Sequence, residues 1–261
     1  MSAALLGELL DALGVEVAAW ALACARFVPV VWLCPVLGGQ VTPPPVRLGI
    51  GMALALLARE RGVVQAAGGS GAVELVLALL CEAGLGTALG LLAAAPVEAA
   101  RFGGRMVDLV RGTSAEALLP GAGIREAASA ELLARLALVL GWGATGWTVR
   151  ALLRTVTLLP LGAARPGPAA ALSVAAGVVG ILGSGLALAA PVAFLALALD
   201  AVLGFSARGA QAPGLFEVAA PARILGGGAL LWLVLGVAAD RVLDLLAHTP
   251  DALTALAELP P

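Results

Sequence analysis

No charged residue lies between Arg165 and Asp200. As one continuous helix that stretch would be about 50 Å long at about 1.5 Å of rise per residue, while a bilayer core is about 30 Å thick. A run this apolar and this long has no place to bury itself in a water-soluble domain of 261 residues, so the chain reads as an integral membrane protein. The run is also too long for one straight span. Gly177, Gly180, Gly183, Gly185 and then Pro191 are the positions where it is expected to bend or break.

Composition supports the same solvent. Hydrophobic residues make up 61% of the chain and charged ones 12%, with a mean hydropathy of +1.03, beyond what a soluble domain carries. The formal charge of -2 offers no basic face, which argues against a nucleic-acid partner. Cys24, Cys34 and Cys81 all fall in apolar runs without C-x-x-C spacing, so they read as small buried thiols rather than disulfides or metal ligands. The residues before the first apolar run include Glu8 and Asp11 and no basic residue. That run is therefore expected to stay in the mature chain rather than leave as a signal peptide.

Spanning the hydrocarbon takes roughly 20 apolar residues. Apolar segments fall near 13–37, 47–58, 73–97, 130–149, 168–199 and 224–246, within a single helical membrane domain covering 1–261. The second is too short to cross unaided. Arginines divide almost evenly between the two sides, so the positive-inside rule gives no orientation. The longest polar connection, 101–126, leaves no room for a separate soluble domain.

Charges inside these segments need an account. Each costs roughly 2.5–3.5 kcal/mol at mid-membrane on insertion scales. Glu16, Glu74 and Arg135 lie near segment ends, where long side chains reach the interface. Arg26 and Glu82 lie deeper and call for buried pairing or a wet cavity. Short segments, overlong segments and intramembrane prolines together point to apolar surface covered by other subunits, because irregular backbone is tolerated only against protein or water. Gly86 and Gly90, four residues apart, would let helices approach closely.

Two apparent signals carry no chemistry. "GWGATG" has G-x-G-x-x-G spacing at Gly141, Gly143 and Gly146, but no Asp or Glu occurs between Glu131 and Asp200 and the flanks look like membrane helix. His248 stands alone, without a nucleophile or ligand set. No catalytic, cofactor or metal constellation emerges, and the chain is expected not to be an enzyme.

Four blocks together resemble the export-apparatus family of type III secretion that includes FliR of the flagellum and SctT of the injectisome. The first is Arg26, Pro35 and "TPPPVR" ending at Arg47. The second, "EAGLGTALG", sets Glu82, Gly86 and Gly90 at E-x-x-x-G-x-x-x-G spacing, and in the third, "GRMVDLVRG", Gly104, Asp108, Arg111 and Gly112 keep G-x-x-x-D-x-x-R-G. The third block looks closer to the injectisome branch. The fourth holds Pro191, Asp200, Gly204, Arg208, Phe216, Pro221 and Arg223 in the family's order. It departs at Gln211, Ala212 and Gly214, where the family usually has Pro-Gln after the arginine and Asn before the Phe, and Thr155 stands where serine is more usual.

The resemblance implies an all-α membrane protein of kinked hairpins packed in a multi-subunit export gate in the bacterial inner membrane. Its implied partners are SctR/FliP-like and SctS/FliQ-like gate subunits, an SctU/FlhB-like switch protein, unfolded secreted substrates and membrane lipid. Arg26 and the nearby prolines would then belong to a bent hairpin, with the guanidinium satisfied by carboxylates or carbonyls of neighbours. Arg26, Glu82, Gly86, Gly90, Asp108, Arg111, Asp200, Arg208, Phe216 and Pro221 are the structural or interface candidates. In the family the loop after the third apolar segment helps plug the closed pore. Here it corresponds to about 103–123, with Met106, Val107, Leu109 and Val110 as sealing candidates; an amphipathic connector at the membrane surface is the plainer reading. A small-solute transporter is the rival function, since broken helices and intramembrane charges also suit midplane sites. It would call for paired interrupted segments in two halves, and no convincing internal repeat is present.

Overall fold

The structure, a computed structural model, describes residues 3–38, 42–61, 72–111, 128–165, 167–209 and 215–259. Among these the chain is all-α, with six helices: α1 (Ala3–Leu33), α2 (Pro44–Arg61), α3 (Ala72–Arg111), α4 (Ala128–Leu158), α5 (Pro168–Gly209) and α6 (Leu215–Glu258). A short 3-10 turn, Pro35–Leu37, follows α1. Leu- and Ala-rich runs favour helix by intrinsic propensity, and in hydrocarbon a helix is the local way to satisfy every backbone polar group.

Four of these helices have a stretch long and apolar enough to cross a membrane: Glu16–Leu33, Ala72–Arg111, Ala128–Leu158 and Pro168–Val202. The protein is therefore a multi-pass membrane protein. The shorter α2, with 18 residues, is about 27 Å long. It carries Arg47 and Arg59 and folds back along α1, where Arg59 pairs with Glu16 near one end and Arg47 lies 5.3 Å from the Trp32 ring centroid near the other. Cation–ring contact and ion pair thus fix an antiparallel hairpin.

Two sequence expectations are narrowed. Of the bend or break expected between Gly177 and Pro191, no break forms, and α5 runs helical through Pro191 to Gly209. Pro29 and Pro96 likewise sit inside α1 and α3. A proline removes one hydrogen bond, whereas a full break in hydrocarbon would strip several backbone groups of partners, so the helix persists. The connection expected from 101 also starts later. Helix α3 continues to Arg111, which makes 103–111 helical, while 112–123 lie outside the described residues.

The chain divides into two compact units. The first takes residues up to Ala95, then Trp142–Val178, then those from Ala247; the second takes Pro96–Gly141 and Val179–Leu246. In the first, Leu22, Phe27, Val30, Leu89, Leu152 and Leu161 are fully buried. In the second, Val97, Ala100, Val107, Leu133, Ala137 and Val192 fill the same role.

Candidate functional site

The two charges deepest in the apolar segments meet inside the first unit. Arg26 and Glu82 are both 0% exposed. Nε of Arg26 donates to Oε2 of Glu82 at 2.5 Å and Nη2 donates to Oε1 at 2.9 Å, a bidentate pairing. Nη1 donates to the Leu159 carbonyl at 2.8 Å and Nη2 also donates to that of Pro160 at 3.3 Å. The carboxylate accepts one further bond, from the Gly162 amide to Oε1 at 2.8 Å. The planar fork of arginine suits this arrangement, since it presents five donors in fixed directions.

Local sequence explains each contribution. Helix α4 stops at Leu158 because Pro160 disfavours helical geometry in the residue before it. The Leu159 carbonyl then has no helical partner, and the Pro160 carbonyl, which accepts from the Ala163 amide at 3.1 Å in the turn, keeps a second lone pair free. Gly162 adopts a positive φ of 87°, open to glycine at little cost, and this turns its amide toward Glu82. Gly86 follows Glu82 by one helical turn and lies against the α1 backbone, so that a Cβ there would overlap the Arg26 carbonyl. A Cβ at Gly90 would come within 3.1 Å of the Val30 Cα. Going up both helices, 86 meets 26, 90 meets 30, and the Cys34 thiol donates to the Ala93 carbonyl at 3.7 Å. Helices α1 and α3 therefore run parallel here, backbone against backbone. Side chains tilt toward the helix N-terminus, so Arg26 reaches back one turn to Glu82. The Glu82, Gly86, Gly90 spacing supplies one charge partner and two points of close approach on a single face.

A second cluster lies in the other unit. Asp108, 2% exposed, accepts from the Ser129 amide at 2.9 Å and the Ala130 amide at 3.4 Å through Oδ2. These are orphan donors of the first turn of α4, so Asp108 caps that helix from another element. Gly104, one turn earlier on α3, makes room for this approach: a Cβ there would overlap Ala130 and the Ser129 carbonyl. Arg111 donates from Nη1 to the Ser129 hydroxyl at 3.1 Å and from Nη2 to the Ile224 carbonyl at 2.8 Å. Its Nη1 is 3.7 Å from Asp108 Oδ1, and its Nε has no hydrogen-bond partner among the described residues. The stem of Arg111 lies on glycines of α6, where a Cβ at Gly227 would come 2.6 Å from its Cγ.

The remaining candidates are not drawn together. Met106, Val107, Leu109 and Val110 follow the helical turn of α3: Val107 is fully buried, Leu109 is 60% exposed, and Met106 and Val110 are half-buried. They present no common face. Asp200 is half-buried on α5 and Pro221 exposed on α6, while Arg208 lies near the end of α5 and Phe216 near the start of α6. The sequence reading passed over Gly162, Ser129 and Gly227. Their signals were present: Pro160 followed by Gly162 in an apolar connection, a serine at a helix start, and a triple glycine at 226–228 inside an apolar run.

Both clusters spend most of their polar atoms on holding helices together. No curated protein matches the chain. The family described as bacterial export proteins, family 1, matches residues 17–249 and thus takes in both clusters and all four spanning helices. The chain belongs to that family, which is the FliR/SctT family of type III export, and is a membrane component of a bacterial protein-export apparatus in the inner membrane.

Proposed function

We propose that the chain is a non-enzymatic subunit of the type III secretion export gate, lining and plugging the inner-membrane pore through which unfolded protein substrates leave the cytoplasm. The observation that carries this reading is how little of its membrane surface the chain covers for itself. Between 22% and 39% of the residues in the apolar stretch of each span are buried, and Trp142 and Phe194 on those spans are each at least 65% exposed. Such surface suits close packing against SctR/FliP-like and SctS/FliQ-like subunits, with an SctU/FlhB-like protein as the switch. The buried charges are already matched, so they serve as fasteners between helices rather than as a solute site. The injectisome branch is favoured by the block from Gly104 to Gly112.

The plug role falls on the end of α3 and the residues after it. Met106, Leu109 and Val110 supply apolar contact there, and glycines with Pro120 suit a segment that changes backbone shape. Deleting Leu109–Leu119 from the assembled gate should make it leak ions and small solutes. An unchanged leak in a gate that still assembles would remove the plug role, and a chain that purifies as a stable symmetric oligomer without partner proteins would remove the gate reading altogether.

A further inference from the structure

Helix α6 carries three successive glycines, Gly226, Gly227 and Gly228, in its interior. Glycine is the weakest helix former after proline, so this is a soft point in the helix. The end of α3 lies on it. The Arg111 stem runs along Gly227, and its Nη2 donates at 2.8 Å to the Ile224 carbonyl, the oxygen that the helical ladder assigns to the amide of residue 228. We propose that Arg111 is a latch on a glycine hinge. Seated, it holds α6 straight; when the end of α3 moves away, the arm of α6 before the glycines, residues 215–225, pivots at Gly226–Gly228. The use of this motion in transport rests on the gate reading above.

Room, bonding and place each support the assignment. Alanine at 227 or 228 would strengthen the helix, but its Cβ would come 2.6 Å from the Arg111 Cγ or 3.0 Å from its Nη2. Those two glycines keep the seat open. Gly226 has no such steric reason, because a Cβ there would meet nothing within 4 Å; what it adds is backbone freedom. Bonding separates this arginine from the other buried one. Arg26 commits Nε, Nη1 and Nη2 to four oxygens, whereas Arg111 stands 3.7 Å from its acid and leaves Nε without a hydrogen-bond partner among the described residues. A buried donor left unmet makes a seat easier to leave. Place is the third. Arg111 is the last residue of α3, where the plug role falls, so a shift at that end reaches α6 through the guanidinium.

Hydrogen exchange of the full chain in detergent micelles reads the latch directly. Arg111→Ala should speed exchange of the amides at 225–230 by about tenfold or more, the effect of losing a charged donor, and leave 236–246 of the same helix unchanged. Gly226→Ala touches nothing and should slow the 225–230 amides about fivefold, the helix preference of alanine over glycine. At Gly228 every atom within 4 Å of an added Cβ belongs to Arg111, so Arg111→Ala can be combined with Gly226→Ala and Gly228→Ala without a clash. That triple variant should return to the natural rate or below it. An unchanged rate in Arg111→Ala, a rise spread evenly along α6, or a triple variant that stays fast would overturn the latch. If Arg111→Ala does not fold, Gly226→Ala decides alone, and exchange as fast as in the natural chain removes the hinge. In the assembled gate Gly226→Ala should slow secretion by up to about fivefold, the same shift in the hinge equilibrium. Undiminished secretion by a Gly226→Ala gate that assembles would overturn the proposal with the gate reading intact, whereas a natural chain that enters no gate overturns that reading.

Discussion

The Arg26–Glu82 cluster and the Asp108–Arg111 cluster each hold one acid and one arginine inside an apolar protein, yet the charges are answered in different ways. In the first, the two side chains face each other bidentately at 2.5 and 2.9 Å with no exposure. Each charge has the other as its main partner, and backbone groups fill the remaining positions. In the second, the acid and the arginine are 3.7 Å apart and Arg111 keeps 14% exposure. The negative charge is answered by two amides and the dipole at the start of α4, the positive one by a hydroxyl and a carbonyl. The two acids are buried almost alike, so the difference lies in what stands opposite them: Glu82 faces a fully buried guanidinium in bidentate geometry, whereas Asp108 faces the free amides at the start of α4 and its arginine keeps some contact with solvent. The first cluster works as a lock between α1, α3 and the α4–α5 connection. The second is a helix cap that an arginine steadies.

The comparison can be broken most sharply at Glu82. Glu82→Ala leaves Arg26 buried and uncompensated, at a cost of about 3–5 kcal/mol, which chemical unfolding of the chain in detergent micelles would measure. Replacing both partners, Arg26→Met with Glu82→Leu, should recover most of that loss. If the double variant were as unstable as Glu82→Ala, the charge pairing would not be what matters there.

Backbone approach belongs to the same lock and comes next in size. Gly86→Leu must push α1 and α3 apart, and overpacking of this kind costs about 1–3 kcal/mol. The accompanying sign is faster hydrogen exchange around Gly162, whose amide loses its carboxylate as Glu82 shifts. Stability equal to that of the natural chain would show that the helices do not meet at this point.

At the second cluster a smaller loss is expected, because a cap rather than a charge pair is removed. Asp108→Ala should cost about 0.5–2 kcal/mol and speed exchange of the Ser129 and Ala130 amides, while Asp108→Asn, which keeps an acceptor oxygen, should lie between. A loss for Asp108→Ala as large as that for Glu82→Ala would erase the distinction between lock and cap. The smallest effect sets the baseline. Arg59 and Glu16 form a surface pair with 30% and 54% side-chain exposure, so Arg59→Gln should change stability by no more than about 1 kcal/mol, judged by the same unfolding midpoint.

Much of this was legible before the fold was known. Arg26 and Glu82 stand out because a charge in a long apolar run is costly wherever it ends up, and one-turn spacing at Glu82, Gly86 and Gly90 already placed them on one helical face. Asp108 and Arg111, three apart, likewise share a face. The end of α3 was harder to place. Charges at Arg101, Arg105 and Asp108 resemble the edge of a connection, but Asp108 is buried against α4 and the helix carries on to Arg111. Pro191 allowed either a bend or a break by sequence, and the helix does not break there, since the membrane makes breaking a helix costlier than bending one hydrogen-bond ladder around a proline.

By itself the sequence determined the solvent, the helical class and the need for partners at each intramembrane charge, because these follow from the cost of exposing peptide groups and charges to hydrocarbon. Which partners would answer was decided only by tertiary structure. Glu82 is 56 residues from Arg26, and the carbonyls that complete the coordination of the Arg26 guanidinium lie more than 130 residues from it; Asp108 caps a helix that begins 20 residues later. Backbone carbonyls and amides are present at every position, so no residue type marks the one a distant side chain will use. Only the close passage of α1 along α3, and the stop of α4 at Pro160, bring those particular groups within reach.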